Sequence, residues 1–284
     1  MAPSDIGDLR MRVELAEVTL EVEDSGGLGP AVLLVHGFPD THDCWRHQVP
    51  ALRAAGYRTI APDLRGFGGS DRPAGTAAYA PARSAADLLE LLDRLGVGRV
   101  HLVGHDWGSG IAQGLAMTAP DRVASLSLLS VGHRGALVDA GWEQRSLSWY
   151  MLLFQYEGIA EEWLLRDGAA HAREFLAEHP DAGAVVERLS EPGALTAALG
   201  VYRAGLPPRA LFGPEVPLPP LPGPVLGMWS TGDRFLTERA MTGTEKYVAG
   251  SWRYERVEGV GHWLQLQAPE RVNAALLGFL ADHP

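Results

Sequence analysis

Two periods of apolar spacing run along this chain. Ala31-Val32-Leu33-Leu34-Val35, Arg58-Thr59-Ile60-Ala61 and Val100-His101-Leu102-Val103 are short, largely apolar runs with no strict alternation. Such runs predict strands covered on both faces, as a parallel sheet requires, and Pro62-Asp63 stops the second of them. Leu88, Leu91, Leu92 and Leu95 recur at three- and four-residue spacing and predict a helix over 81–95. Gly108 to Met117 is rich in small residues and predicts a helix lying close on the sheet, and Val123 to Val131 predicts another strand. Val13 to Val22 alternates with period two, as in a hairpin or an edge pair.

Past residue 133 the β-branched runs vanish. SLSWYMLLFQY, IAEEWLLR, HAREFLAEH and ALTAALGVYR are helical patterns with interspersed aromatics, closed by LPPRALFGPEVPLPPLPGP, whose proline density argues against regular structure. Strand character resumes at Val225 to Ser230, followed by a helix near 237–248, a strand near 252–257 and a last helix near 268–281. This order predicts an α/β fold, a mostly parallel central sheet flanked by helices. The predicted core is 1–133 with 223–284, interrupted by a helical cap at 134–222. No internal repeat is visible.

Composition narrows the function. The chain has 284 residues, 46% hydrophobic and 21% charged, in the range of a globular enzyme. A formal net charge of −11 opposes binding to nucleic-acid phosphates or to an anionic membrane surface. Cys44 is the single cysteine, which rules out an internal disulfide or a Cys-based zinc site and fits a reducing compartment. Asp5 and Asp8 interrupt the N-terminal segment, so it does not read as a signal peptide. No stretch approaches the ~20 apolar residues of a membrane span. A cytoplasmic protein without a metal or organic cofactor is expected, since no histidine pairs with a second His or a carboxylate at convincing ligand spacing.

The third of the apolar runs leads into Gly104-His105-Asp106-Trp107-Gly108, which has the Gly-x-nucleophile-x-Gly outline of a tight strand-to-helix elbow. The glycines stand where a Cβ would clash. The central residue is Asp106, where an ester or amide hydrolase would carry serine. A serine attacking a saturated carbon leaves an ether, which water and a histidine do not readily cleave. A carboxylate leaves an ester, whose carbonyl activated water can attack. Asp106 therefore points to displacement at an sp³ carbon, as in epoxide opening or carbon–halogen cleavage. The plainer alternative, that Asp106 only caps the following helix, leaves both glycines unexplained.

Ester hydrolysis needs a base and an acid that orients it. His262, in Gly259-Val260-Gly261-His262-Trp263, lies between a predicted strand and the last helix, and Asp233 follows the preceding strand. Nucleophile, acid, histidine is the α/β-hydrolase order. The oxyanion needs backbone N–H donors. Trp107 supplies one by position, and Phe38, in His36-Gly37-Phe38-Pro39, can supply the second.

HGFPDTHDCWRHQVPAL, APDLRGFGGSDRP, GHDWG and GVGHWLQLQAPERV together resemble the successive motifs of the α/β-hydrolase-fold epoxide hydrolases. The likeness spans about 31–131 and 225–280. It implies two cap tyrosines that bind the epoxide oxygen, here Tyr150 and Tyr202, the latter in Val201-Tyr202-Arg203, a partial match to the family's aromatic-Tyr-Arg pattern. Haloalkane dehalogenases share the Asp nucleophile but hold a halide with the Trp after it and an Asn or Trp elsewhere. Phe38 stands where many of them carry Asn. Fluoroacetate dehalogenases carry arginines just after the nucleophile; Trp107-Gly108-Ser109-Gly110-Ile111 has none, which argues against an anionic substrate.

The resemblance implies hydrolysis of an epoxide to a vicinal diol. Asp106 would be the nucleophile, His262 the base, Asp233 its partner, and Tyr150 and Tyr202 the ring-opening donors. Phe38, Trp107, Trp149 and Phe154 are expected to line an apolar pocket. The expected partners are a small neutral, largely apolar epoxide and water, with the protein a monomer or homodimer. A haloalkane dehalogenase, a natural-product epoxide-opening or cyclising enzyme, and a binding protein with a relic site are the alternatives.

Overall fold

The computed structural model describes residues 9–212 and 218–284. Asp5 and Asp8 and the middle of the proline-rich exit lie outside the described residues. Eight strands form one sheet in the order β1-β2-β4-β3-β5-β6-β7-β8. They are β1 (Leu9–Glu14), β2 (Thr19–Asp24), β3 (Ala31–Val35), β4 (Arg58–Pro62), β5 (Val100–His105), β6 (Val123–Leu129), β7 (Val225–Ser230) and β8 (Trp252–Val257). β1 and β2 are the expected hairpin, β2 meets β4 antiparallel, and the remaining pairs are parallel.

Helices explain the continuous apolar strands. All five residues of β3 and all six of β5 are buried, because helices pack on both faces of the sheet. The helix Pro81–Arg94 turns Leu88, Leu91 and Leu92 inward, and the small-residue helix Trp107–Thr118 buries Ile111, Ala112 and Leu115. Among the described residues, no helix is long and apolar enough to cross a membrane.

The strand order places the site. From β3 the chain steps to β4 on one side, then returns to β5 on the other. The carboxyl ends of β3 and β5 therefore lie side by side where the winding direction reverses, with Val35 paired to Gly104. Such a reversal opens a crevice at the sheet edge. The loops carrying Phe38 and Asp106 both leave the sheet there.

Between β6 and β7 the described chain is helical: Arg134–Asp139, Trp142–Leu147, Tyr150–Leu153, Ile159–Phe175, Ala182–Leu189, Ala194–Gly205 and Pro208–Phe212. The longest bends sharply, since Arg166 to Ala169 leave helical geometry. This segment is tied to the sheet edge by His179 with Asp40, by the Arg188 guanidinium on the Pro39 carbonyl, and by Gln144, which bonds Phe235 and Thr237 backbone groups.

Several boundaries differ from the pattern. The helix expected near 237–248 is a short helix, Glu238–Thr242, and a 3-10 turn, Gly243–Tyr247. Thr244 is buried there and accepts the His133 N–H. The last helix begins at Pro269, after a separate turn at Leu264–Gln267, because proline drives Ala268 out of helical geometry (φ −137°). β6 ends at Leu129, since Ser130 takes φ +67°. The proline-rich exit is more regular than its composition suggests. Pro208 opens a helical turn, where its missing N–H costs nothing, and Leu221 bridges to Val248.

Candidate active site

Asp106 sits at the elbow with φ +53° and ψ −122°, a conformation that L-residues rarely adopt. Strain of this kind costs about 1–3 kcal/mol and persists where surroundings enforce it. The two glycines do so here. A Cβ on Gly104 would overlap the Gly108 carbonyl, and one on Gly108 would overlap the Val35 carbonyl. The Asp106 side chain does not cap its helix. Its Oδ1 instead accepts the Phe38 N–H at 2.9 Å, so the β3 loop aims the carboxylate.

His262 and Asp233 meet Asp106 at this edge of the sheet. The His262 Nδ1–H donates to Asp233 Oδ2 at 2.9 Å, and Nε2 stands 3.6 Å from Asp106 Oδ2. Asp233 Oδ1 accepts the N–H groups of Phe235 and Leu236, which satisfies the buried carboxylate and fixes its rotamer. Burial alone would push the His262 imidazole down. The charge of Asp233 and the bonds to both carboxylates outweigh burial and raise it to about 10. This favours the imidazolium form between the two carboxylates.

Two residues that the sequence pattern did not single out hold His262 from behind. The His105 Nε2–H at 3.0 Å and the Ser130 hydroxyl at 2.8 Å both donate to the His262 carbonyl. Burial first, and then the His262 charge, lowers His105 to about 4, so it stays neutral. Ser130 follows β6 and His105 ends β5, so the sheet's carboxyl edge was the signal for both.

Tyr150 and Tyr202 come together over Asp106 from separate helices, with ring centroids 6.1 Å apart. Trp107 packs edge-on against Tyr202, with ring centroids 5.0 Å apart. Burial, reinforced by the Asp106 charge, raises both phenols well above their ordinary value, so both remain protonated. Arg203, the neighbour of Tyr202, clamps the two elements together: it bonds the Phe154 carbonyl and makes a two-pronged ion pair with Glu161.

A cavity of about 410 Å³ opens from Asp106, walled by Trp107, Tyr150, Tyr202, Met151 and Leu206 among others, within the size range of small-molecule sites. A second space of about 10 Å³ at the carboxylate is lined by Phe38, Asp106, Tyr150, Tyr202, Phe235 and His262 among others. That is room for roughly one water. The expected pocket lining is corrected in three places. Phe38 faces the water-sized space, because its backbone is anchored to Asp106. Phe154 is fully buried behind the tyrosines, packed on Tyr150 and Tyr202. Trp149 is 54% exposed and borders a separate surface groove, since it lies one residue before Tyr150 and points off the opposite side of that turn. Arg134, at the start of the first helix after β6, lines the larger cavity and carried no sequence signal of its own. Among the described residues, no group of three or more His, Cys, Asp or Glu could hold a metal ion.

The alpha/beta hydrolase fold family profile matches residues 30–269. Epoxide hydrolase A of Mycobacterium tuberculosis is 34% identical over 94% of this chain and 96% of its own. Among solved structures, epoxide hydrolase A of Mycobacterium thermoresistibile superposes with a TM-score of 0.81 at 29% identity, covering 97% of this chain and 98% of that one. The Bacillus megaterium epoxide hydrolase, crystallised with an inhibitor, gives 0.84 at 26% identity over 95% and 100%. This chain therefore belongs to the alpha/beta hydrolase fold family, in the branch that the epoxide hydrolases form.

Proposed function

We propose that the protein hydrolyses a largely apolar epoxide to a vicinal diol through a covalent ester on Asp106. The observation that carries this reading is a strained, buried Asp106 carboxylate facing two protonated tyrosines across a cavity, with His262 3.6 Å behind it. Asp106 Oδ2 attacks one ring carbon, and the carbon–oxygen bond breaks as Tyr150 and Tyr202 supply hydrogen bonds and a proton to the departing oxygen. Water in the space between His262 and Asp106 then attacks the ester carbonyl while His262 takes its proton; the intermediate collapses with cleavage of the bond to the diol oxygen, which leaves with a proton from His262. The Phe38 amide, which already touches Asp106 Oδ1, and the Trp107 amide stabilise the oxyanion. In this reading the helices between β6 and β7 act as a cap that carries both tyrosines and shields the ester from bulk water.

The high proton affinity of His262 fits this order of steps. In the free protein Asp106 helps to hold the proton. Ester formation removes that charge, so the imidazole gives up its proton, which restores the phenol that protonated the ring oxygen, and becomes available as a base. Asp106→Asn, which presents a neutral group as the ester does, should move the His262 titration midpoint from about 10 to lower pH, as read by NMR of the imidazole. An unmoved midpoint would mean that Asp106 does not help to set the charge of His262.

Phe38 stands where many haloalkane dehalogenases carry a halide-binding Asn, which weighs against that reading. A single turnover of styrene oxide in heavy-oxygen water tests the ester directly. The heavy atom should enter the Asp106 carboxylate, found by mass analysis of the peptide that contains it. Diol formed with an unlabelled Asp106 would exclude the covalent route.

A further inference from the structure

The walls of the cavity carry an unexpected charge pattern. Beside the cavity at Asp106 lies a surface groove, and Arg134, Leu137, Met151 and Leu206 line both spaces. The two therefore adjoin, and together they run from the nucleophile toward the outer face of the helical segment. Both are predominantly apolar. Asp106 is the single carboxylate among the described residues lining either one, and Arg134 and Arg145 are the cations. In a chain with 35 acidic and 24 basic residues, an acid-free rim with two arginines runs against the overall charge.

Neither arginine is used up by the fold. Most other arginines of the described chain pair with carboxylates, such as Arg58 with Asp24, Arg65 with Asp87 and Arg203 with Glu161. Among the described residues, Arg134 and Arg145 have no carboxylate partner. Arg134 is half-buried and donates to the Ala210 carbonyl at 2.9 Å, which fixes its reach and leaves further N–H groups for a ligand. Arg145 is exposed, at the groove's edge. A half-buried guanidinium bordering apolar walls is well suited to a planar anion, because bidentate bonds replace the water it has lost.

We propose that Arg134, supported by Arg145, forms a subsite for a carboxylate at the far end of the substrate, so that the natural substrate is an epoxide with an extended apolar body and an anionic terminus. This rests on the epoxide reading and revises the expectation of a neutral substrate. The absence of arginine just after Asp106 argues against an anion beside the reacting carbon, and Arg134 receives one where the cavity meets the groove. The chain's net negative charge does not forbid this, since screening confines it to about 8 Å at physiological ionic strength.

The test compares the terminal epoxide of undecenoic acid with its primary amide, matched in length. The wild type should favour the acid in kcat/KM by about tenfold, the size of one charge-assisted contact. In Arg134→Gln the acid-to-amide ratio should fall to about one, and Arg134→Lys should restore part of it. Arg145→Gln should lower the ratio less. The ratio is internal to each variant, so a general loss of activity does not disturb it. Equal rates on acid and amide in the wild type, or a ratio that survives Arg134→Gln, would overturn the subsite. If neither epoxide is hydrolysed, the proposed reaction is at fault, and calorimetry with decanoate and decanamide decides the subsite separately. Decanoate binding that weakens in Arg134→Gln while decanamide binding does not supports it; equal weakening, or none, refutes it.

Discussion

In His262→Gln the protein should stall at the ester, and its intact mass should rise by the full mass of the epoxide. Asp106 needs no base for its attack, and the Phe38 amide that aims its carboxylate is untouched by the change. Ring opening therefore proceeds once. Glutamine fills much of the imidazole's space but cannot accept a proton from water, so steady-state turnover should drop roughly 10²–10⁴-fold, the range for a positioned general base. The Asp233 carboxylate keeps its bonds to the Phe235 and Leu236 amides, which limits structural damage. Turnover near the wild-type rate would remove His262 from the chemistry. Complete loss of activity without a mass increase would instead place His262 in the first step and overturn the proposed order.

Replacing both Tyr150 and Tyr202 with phenylalanine should nearly abolish ring opening. Removal of one oxyanion donor costs about 10²–10³ in rate, and the double variant should lose at least roughly 10³. Either single change should cost less, because the remaining hydroxyl can turn toward the departing oxygen. Packing is largely kept, since both rings make edge contacts with neighbouring aromatics that phenylalanine retains. The measurement is the rate of ester formation in a single turnover, read by rapid quench and intact mass. An unchanged rate would show that the leaving atom is not held by these phenols, and a dehalogenase reading built on Trp107 would regain its footing.

Local pattern carried most of the sheet. The strands at Ala31–Val35 and Val225–Ser230 stand where their apolar runs placed them, because a strand buried on both faces leaves an uninterrupted apolar signature. Asp106 was legible for a similar reason. A turn that admits no Cβ on either flank writes its constraint into the chain as Gly104 and Gly108. The pocket walls were harder to read. Aromatic character alone could not tell Trp149, which is half exposed, from Tyr150, which is 3% exposed one residue later. Helical phase decides which of the two faces inward, and a four-residue helix offers too few positions to establish phase from spacing.

The sequence by itself determined the α/β class, the elbow and its carboxylate, the order of Asp106, Asp233 and His262 along the chain, and the helical character of the segment between β6 and β7. These follow from short-range rules: apolar periodicity, steric limits at glycine, and the chemistry open to each side chain. Only the tertiary structure decided that His105 and Ser130 brace the His262 carbonyl, that Phe154 supports the tyrosines from behind, and that Arg134 borders the cavity with no carboxylate beside it among the described residues. Each of these depends on elements far apart in the chain meeting at one sheet edge, and no local spacing rule encodes such a meeting.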